Sequence, residues 1–272
     1  MRKWWEKLNS VGPKFGYYPK PSKTFLIVKD ASSIEKAKEV FGNTGITITT
    51  EGERHLGAAI GSEEFRTQYI ENKVNNWIKD VEQLSKIAVD EPQLALSAFT
   101  KALCMRWSHL QRTIPGISHF FEPLEEAICE KFIPAVVGRK LDGLNRRIVG
   151  QPVRFGGLGI LNPVVTADNA YLTSEYVTQD LVDLIIKQDV NLERYDTNKV
   201  KEKVLKTKSD KEKLLKEEYE ELLMLVNEDM KRNLELATEK GAGAWLTALP
   251  VQAYGGKTTF FCTCPLRNNF CS

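Results

Sequence analysis

Long apolar runs and paired cysteines are both missing from this 272-residue chain. No apolar run approaches the roughly 20 residues needed to cross a bilayer. Arg2 and Lys3 are not followed by the apolar segment of a signal peptide. The 5 cysteines are odd in number and unevenly placed, which is not typical of a disulfide framework. These absences argue against a membrane partner and favour an intracellular location, cytoplasmic or nuclear.

Familiar catalytic and metal-binding signatures are also scarce. The chain has no HExxH motif, no nucleophile elbow and no two adjacent aspartates. Cys262 and Cys264 have no histidine nearby, so they do not form a strong zinc signature. The sequence Gly256-Lys257-Thr258 resembles the end of a P-loop, but the earlier glycine that the motif requires is replaced by Val251. The standard metalloprotease, serine hydrolase and P-loop signatures are therefore excluded.

What the chain does have is an ordinary globular composition with one basic region. Hydrophobic residues make up 42% and charged residues 27% of the sequence, as in soluble domains. Among residues 1–29, Glu6 is the only acid, whereas lysine and arginine are frequent. This basic patch suits a partner that carries phosphate groups.

The first 61 residues show short strand and helix patterns. Residues 2–10 predict a short amphipathic helix, and the β-branched run Thr24–Lys29 predicts a strand buried on both faces. Ser32 and Glu35 predict a capping box for a helix that ends at Gly42. Residues 46–49 alternate like a half-buried strand, and we expect residues 54–60 to pair with them as a hairpin.

After Gly61 the apolar period becomes helical. Helix starts are predicted at Ser62, Pro92, near Pro123 and at Asn162-Pro163. Trp77, Phe99 and Trp107 follow helical spacing and are predicted to be core residues. Residues 199–240 are basic in the first half and acidic in the second, which opposes the helix dipole, so a break is expected near Ser209-Asp210.

Four segments, in this order, resemble retroelement reverse transcriptases. Gly16–Val28 resembles motif D of the palm subdomain, and Arg54–Gly61 resembles motif E. Pro152–Gly159 and Trp245–Pro250 resemble segments downstream of the polymerase in metazoan retroelement proteins. The resemblance covers roughly residues 1–254 and implies an RNA-directed DNA polymerase of a retrotransposon.

The resemblance implies an α+β fold that is mostly α. A small antiparallel sheet, the remnant of the palm, would be followed by a helical thumb-like bundle and a charged helical extension. The corresponding domains are 1–61 for the palm remnant, 62–190 for the thumb-like helices, 191–240 for the extension and 241–272 for an irregular tail.

The resemblance also implies roles for individual residues. Lys23 matches the motif D lysine that lies near the triphosphate, a supporting catalytic role. His55, Leu56 and Gly57 match the hairpin that grips the primer. Further contacts to template–primer are expected from basic residues, namely Lys20, Arg106, Arg112, Arg146 and Arg147.

Magnesium is the cofactor of the intact family, but we expect no cofactor in this chain. Paired aspartates would hold two magnesium ions for phosphoryl transfer, and in the family they lie before the helix that corresponds to Arg2–Ser10. We therefore expect a fragment that contacts template–primer without being active alone. A non-catalytic nucleic-acid-binding remnant and a helical protein-interaction module using residues 163–240 are the alternatives.

Overall fold

The computed structural model describes residues 1–187 and 196–247, except for the side chains of Trp245 and Thr247. They form two compact units, Met1–Lys73 and a second that begins at Val74. The strands are β1 (Phe25–Ile27), β2 (Thr47–Thr49), β3 (Gly52–His55) and β4 (Ala58–Gly61). The helices are α1 (Arg2–Val11), α2 (Ile34–Phe41), α3 (Glu63–Asp90), α4 (Pro92–Ala98), α5 (Met105–Thr113), α6 (Glu122–Ala127), α7 (Ile133–Val137), α8 (Gly143–Gly150), α9 (Pro163–Ile186), α10 (Thr197–Leu225), α11 (Glu228–Ala237) and α12 (Ala244–Thr247). The prediction of an α+β fold that is mostly α is confirmed.

In the first unit, β1 and β2 pair in parallel, with Phe25 opposite Thr47. The helix α2 connects them, as a parallel pair requires. The expected hairpin between residues 46–49 and 54–60 was therefore wrong. The alternating pattern was consistent with a strand but carried no information about its partner.

The second pair of strands, β3 and β4, forms an antiparallel hairpin of its own. Gly52 lies opposite Gly61, and His55 lies opposite Ala58. A Cβ atom on Gly52 would lie 2.6 Å from the Ile60 carbonyl oxygen, so only glycine fits at the base of this hairpin. This is a small antiparallel sheet, as the sequence predicted, with the turn Leu56-Gly57 at its tip and without residues 46–49.

Two details of the first unit differ from the sequence predictions. The strand β1 is shorter than Thr24–Lys29 and is not buried on both faces, because Phe25 is 41% exposed and Ile27 is half-buried. A sheet of two strands is too narrow to cover both sides. The predicted capping box is also absent, since Ser33 precedes α2 without a side-chain cap and Glu35 pairs with Lys38 at 2.9 Å.

The core of the second unit is built around five aromatic rings. Trp77 stacks on Phe121 with centroids 6.2 Å apart, and Phe99 stacks on Phe132 at 4.5 Å. Trp107 lies 6.0 Å from both Trp77 and Phe99 and joins the two pairs. All five rings are buried. The prediction that Trp77, Phe99 and Trp107 are core residues is confirmed.

Pro134 explains an irregularity in this core. A π-helical segment, Ile128–Phe132, lies between α6 and α7. Proline has no N–H and its ring clashes with the carbonyl of the preceding turn. A wider π turn just before Pro134 accommodates both effects.

The charged helix α10 runs without a break from Thr197 to Leu225, so the predicted break near Ser209-Asp210 was wrong. Its charges have partners in other elements of the second unit. Lys203 in the basic half lies 3.1 Å from Asp180 of α9, and Arg154 pairs with Glu212. The dipole affects only the terminal turns, whereas these ion pairs lie along the helix.

The glycine-rich segment after α8 is a packing junction. A Cβ atom on Gly157 would lie 2.0 Å from the Gln151 carbonyl oxygen, so the chain can fold back on itself only with glycine at this position. Gly156 has a φ of 78°, and a side chain there would contact Leu234 of α11. The ring of Phe155 stacks on Tyr219 of α10 at 5.2 Å. This segment therefore joins α8 to the charged helices.

None of the helices in the described ranges has the length and apolar character that a membrane span requires. The predicted irregular tail lies outside the described residues from residue 248 onward, as do its cysteines and the end of Trp245–Pro250. The four predicted domain ranges stay a prediction.

Candidate nucleic-acid interface

The residues that the sequence assigned to nucleic-acid binding fall in both units. Lys20, Lys23 and the segment His55–Gly57 belong to the first unit, and the predicted arginines belong to the second. The local surroundings of the two groups differ, because the first group lies on turns and at the end of a strand, whereas the second lies on helices.

The tip of the β3–β4 hairpin carries an unusual residue. The two-residue turn Leu56-Gly57 has positive φ at both positions, 49° and 90°. Such turns favour Asn-Gly, because asparagine and glycine tolerate this backbone conformation. A leucine there is strained by about 1–2 kcal/mol, and its side chain is nevertheless 84% exposed. Backbone strain of this kind concentrates at functional sites.

The hairpin tip is fastened to the long helix α3 within the first unit. The Tyr69 hydroxyl donates a hydrogen bond of 2.9 Å to the Gly57 carbonyl oxygen. The Lys73 ammonium lies 5.6 Å from the centre of the Tyr69 ring. The sequence gives no signal for this contact, since only the hairpin geometry brings Gly57 to Tyr69.

Lys20 and Lys23 flank a rigid turn that leads into β1. The turn is the 3-10 segment Pro21–Lys23, in which Pro21 fixes the backbone. The Lys20 carbonyl oxygen accepts hydrogen bonds from the Lys23 amide at 3.0 Å and the Thr24 hydroxyl at 2.9 Å. Both lysine side chains are exposed. The turn thus presents two cations on a fixed backbone.

Arg146 has a structural position. Its guanidinium group donates two hydrogen bonds to the Glu125 carboxylate, at 2.7 and 2.9 Å, and a third to the Ile160 carbonyl oxygen at 2.7 Å. Both side chains of the ion pair are largely buried. Burial lowers the pKa of Arg146, but hydrogen bonds and charge from Glu125 outweigh it and raise the pKa overall.

Cys129 completes this buried group. Its thiol donates a hydrogen bond of 3.1 Å to Glu125. Burial, followed by the negative charge of Glu125, raises the pKa of the Cys129 thiol to about 11. The neutral thiol is therefore favoured. The contacts of Glu125 with Arg146 and Cys129, and of Arg146 with Ile160, hold α6, α8 and the segment around Ile160 together.

The remaining arginines are more accessible. Arg106 pairs with Asp80, and Arg147 lies 3.2 Å from Glu221 and 3.7 Å from Glu218. Hydrogen bonding to Glu221 is the main cause that raises the pKa of Arg147. Arg112 is exposed in the last turn of α5, where a positive charge complements the helix dipole. An arginine in such an exposed ion pair can release its carboxylate partner and bind a phosphate group instead.

Among the described side chains, the structure contains no cluster of the kind that commonly holds a metal ion. Within residues 1–187 and 196–247, no three His, Cys, Asp or Glu side chains are grouped so that they could hold a metal ion. Asp80 is paired with Arg106, and Asp142 caps α8 by accepting from the Asn145 amide at 2.8 Å. We assign no metal-dependent step to these residues.

Comparison of the chain with protein-family models, with curated proteins and with solved structures finds no match.

Proposed function

We propose that this chain is part of a retroelement-type reverse transcriptase and that its first unit contacts the template–primer duplex. The contact surface would be the hairpin tip His55–Gly57 together with Lys20 and Lys23. Within this proposal the second unit is the thumb-like region. The observation that carries it is Leu56, a strained and exposed leucine at the tip of a hairpin.

The order of elements supports the proposal. A lysine-rich turn leads into β1, the helix α2 returns the chain to β2, and the β3–β4 hairpin precedes the long helix α3. This is the order that the resemblance to motifs D and E implies. The strain at Leu56 adds an independent physical argument, because asparagine at this position would relieve it at little structural cost.

The chemistry of the surface fits a nucleic-acid backbone. The two lysines supply positive charge for phosphate oxygens, which is the main source of affinity for nucleic acids. The Leu56 side chain offers an apolar contact for a sugar, and Gly57 allows close approach of the backbone. The proposed role of this surface is binding and positioning.

The test is binding of the full chain to a fluorescent primer–template duplex across a range of salt concentrations. Affinity should fall steeply as salt increases, and Lys20→Ala/Lys23→Ala should reduce the slope by about 0.9 for each phosphate that is no longer neutralised. The matched control is Lys36→Ala/Lys38→Ala on α2, which removes the same charge outside the proposed surface. A flat salt dependence in the wild-type chain would contradict the proposal.

A second test uses Leu56→Asn, which should increase stability and decrease affinity for the duplex. Because asparagine relieves the positive-φ strain, the variant should be about 1 kcal/mol more stable. It should also bind the duplex more weakly, since asparagine offers no comparable apolar surface to a sugar. Equal or tighter binding by this variant would refute the assignment of Leu56 to the surface.

Primer extension by the purified chain tests the catalytic part of the proposal. With magnesium and deoxynucleotides, we expect no incorporation above background. Robust incorporation would show that a complete metal site exists in this chain.

A further inference from the structure

The loop between α1 and β1 carries three highly exposed aromatic side chains. Phe15 is 83%, Tyr17 57% and Tyr18 69% exposed. Large aromatic rings normally bury most of their surface. Three within four consecutive residues form a cluster that their own unit leaves open to solvent. We call Phe15, Tyr17 and Tyr18 the aromatic triplet.

The backbone that presents the triplet is fixed. The Tyr17 amide donates to the Gly12 carbonyl oxygen at 3.0 Å, and the Gly16 amide donates to the Pro13 carbonyl oxygen at 3.1 Å. A Cβ atom on Gly12 would lie 2.7 Å from the Tyr17 carbonyl oxygen, so this fold of the loop requires glycine at position 12. Pro13 and Pro19 restrict the chain on either side. The backbone positions that carry the rings are thus fixed before any partner binds.

The surroundings of the triplet are basic. Lys14, Lys20 and Lys23 are exposed. No acidic residue occurs between Glu6 and Asp30. The ligand that combines flat apolar faces with regular negative charge is a single-stranded nucleic acid, whose unpaired bases stack on aromatic rings while lysines neutralise its phosphates.

We propose that the aromatic triplet is a stacking surface for unpaired bases of single-stranded nucleic acid. This inference rests on the proposed function, because it assigns the unpaired strand next to a template–primer duplex to the loop 14–23. A membrane surface fits less well. The rings are separated by Gly16 and followed by Pro19, and they do not form the continuous apolar face of an amphipathic helix.

The experiment compares two probes on the full chain: a blunt duplex, and the same duplex with an unpaired extension that contains 2-aminopurine. The wild-type chain should bind the extended probe about tenfold more tightly, and stacking should quench the 2-aminopurine fluorescence. Phe15→Ala/Tyr17→Ala/Tyr18→Ala should abolish both effects, leave the salt slope unchanged and bind the blunt duplex as the wild type does.

Two control variants separate ring stacking from other effects. Tyr17→Phe/Tyr18→Phe keeps the rings and should keep the preference for the extended probe. Leu214→Ala/Met224→Ala removes exposed apolar surface from α10 and should change nothing, since both side chains are exposed far along the sequence from the triplet.

The outcomes distinguish the two proposals. If the wild type binds blunt and extended probes equally, the stacking surface is refuted while duplex binding stands. If it binds neither probe, the proposed function fails as well. If the triplet is needed for co-sedimentation with phosphatidylserine vesicles and not for binding the extended probe, the stacking proposal is overturned in favour of a membrane contact.

Discussion

Arg146 and Arg147 are neighbours in the sequence, yet the structure predicts very different consequences when each is removed. Arg146 makes three hydrogen bonds, two to Glu125 and one to the Ile160 carbonyl oxygen. The side chains of Arg146 and Glu125 are only 13% and 15% exposed. Arg147 is 38% exposed, and its acidic partners are at least as exposed.

The expected losses of unfolding free energy follow from how deeply each arginine and its acidic partners are buried. Arg146→Ala would leave the Glu125 carboxylate buried without its counter-charge, which costs about 3–5 kcal/mol of unfolding free energy. It would also leave the Ile160 carbonyl oxygen without this donor. Arg147→Ala removes an exposed ion pair and should cost less than about 1 kcal/mol. The two adjacent substitutions should therefore differ by several kcal/mol.

The assay is urea denaturation followed by tryptophan fluorescence. Trp77 and Trp107 are buried in the second unit and report on its unfolding. With a slope of about 2 kcal/mol per molar urea, Arg146→Ala should lower the midpoint by roughly 1.5–2.5 M. Arg147→Ala should lower it by less than about 0.5 M.

The double variant Arg146→Leu/Glu125→Leu provides the internal control. Because it removes both charges, it should be more stable than Arg146→Ala. If Arg146→Ala and Arg147→Ala lower the midpoint equally, the buried ion pair does not exist as described. In that case Arg146 would return to the set of possible phosphate contacts.

Two further predictions concern the second unit. Ser209→Pro should destabilise the unit by about 3 kcal/mol if α10 is continuous, measured by the same urea assay with Ser209→Ala as control; equal midpoints would place a break there after all. The second concerns Cys129, whose thiol has a raised pKa of about 11. Because the folded state holds this proton more tightly, its contribution to stability is complete below the unfolded pKa near 9.0 and is lost as pH rises towards 11. Unfolding free energy measured from pH 8 to 11 should fall less steeply in Cys129→Ala than in the wild type, and parallel curves would argue against the raised pKa.

Local signals predicted most helices. Ser62 and Asn162 begin helices as expected, since their side chains accept hydrogen bonds from backbone amides of the first turn. Pro92 also begins a helix, α4, as expected. These signals act over three or four residues, so the sequence contains them in full.

Strand pairing and charge pairing were predicted less well. Residues 46–49 pair with the strand before them, whereas their local pattern is equally consistent with the strand after them. The course of α10 depends on acids and bases that lie far away in the sequence, such as Asp180 and Arg154. A local dipole argument could not include these partners, and it gave the wrong answer at Ser209.

The features of the candidate interface also divide into those that the sequence predicts and those that tertiary contacts decide. The basic character of the first 29 residues and the glycine at position 57 could be read directly from the sequence, because they depend on residue type alone. That Leu56 has positive φ, that Tyr69 fastens the hairpin, and that Arg146 is buried while Arg147 is accessible were decided only by the tertiary structure. Each depends on which backbone and side-chain atoms meet in space, and residues that meet in this way are often far apart along the chain.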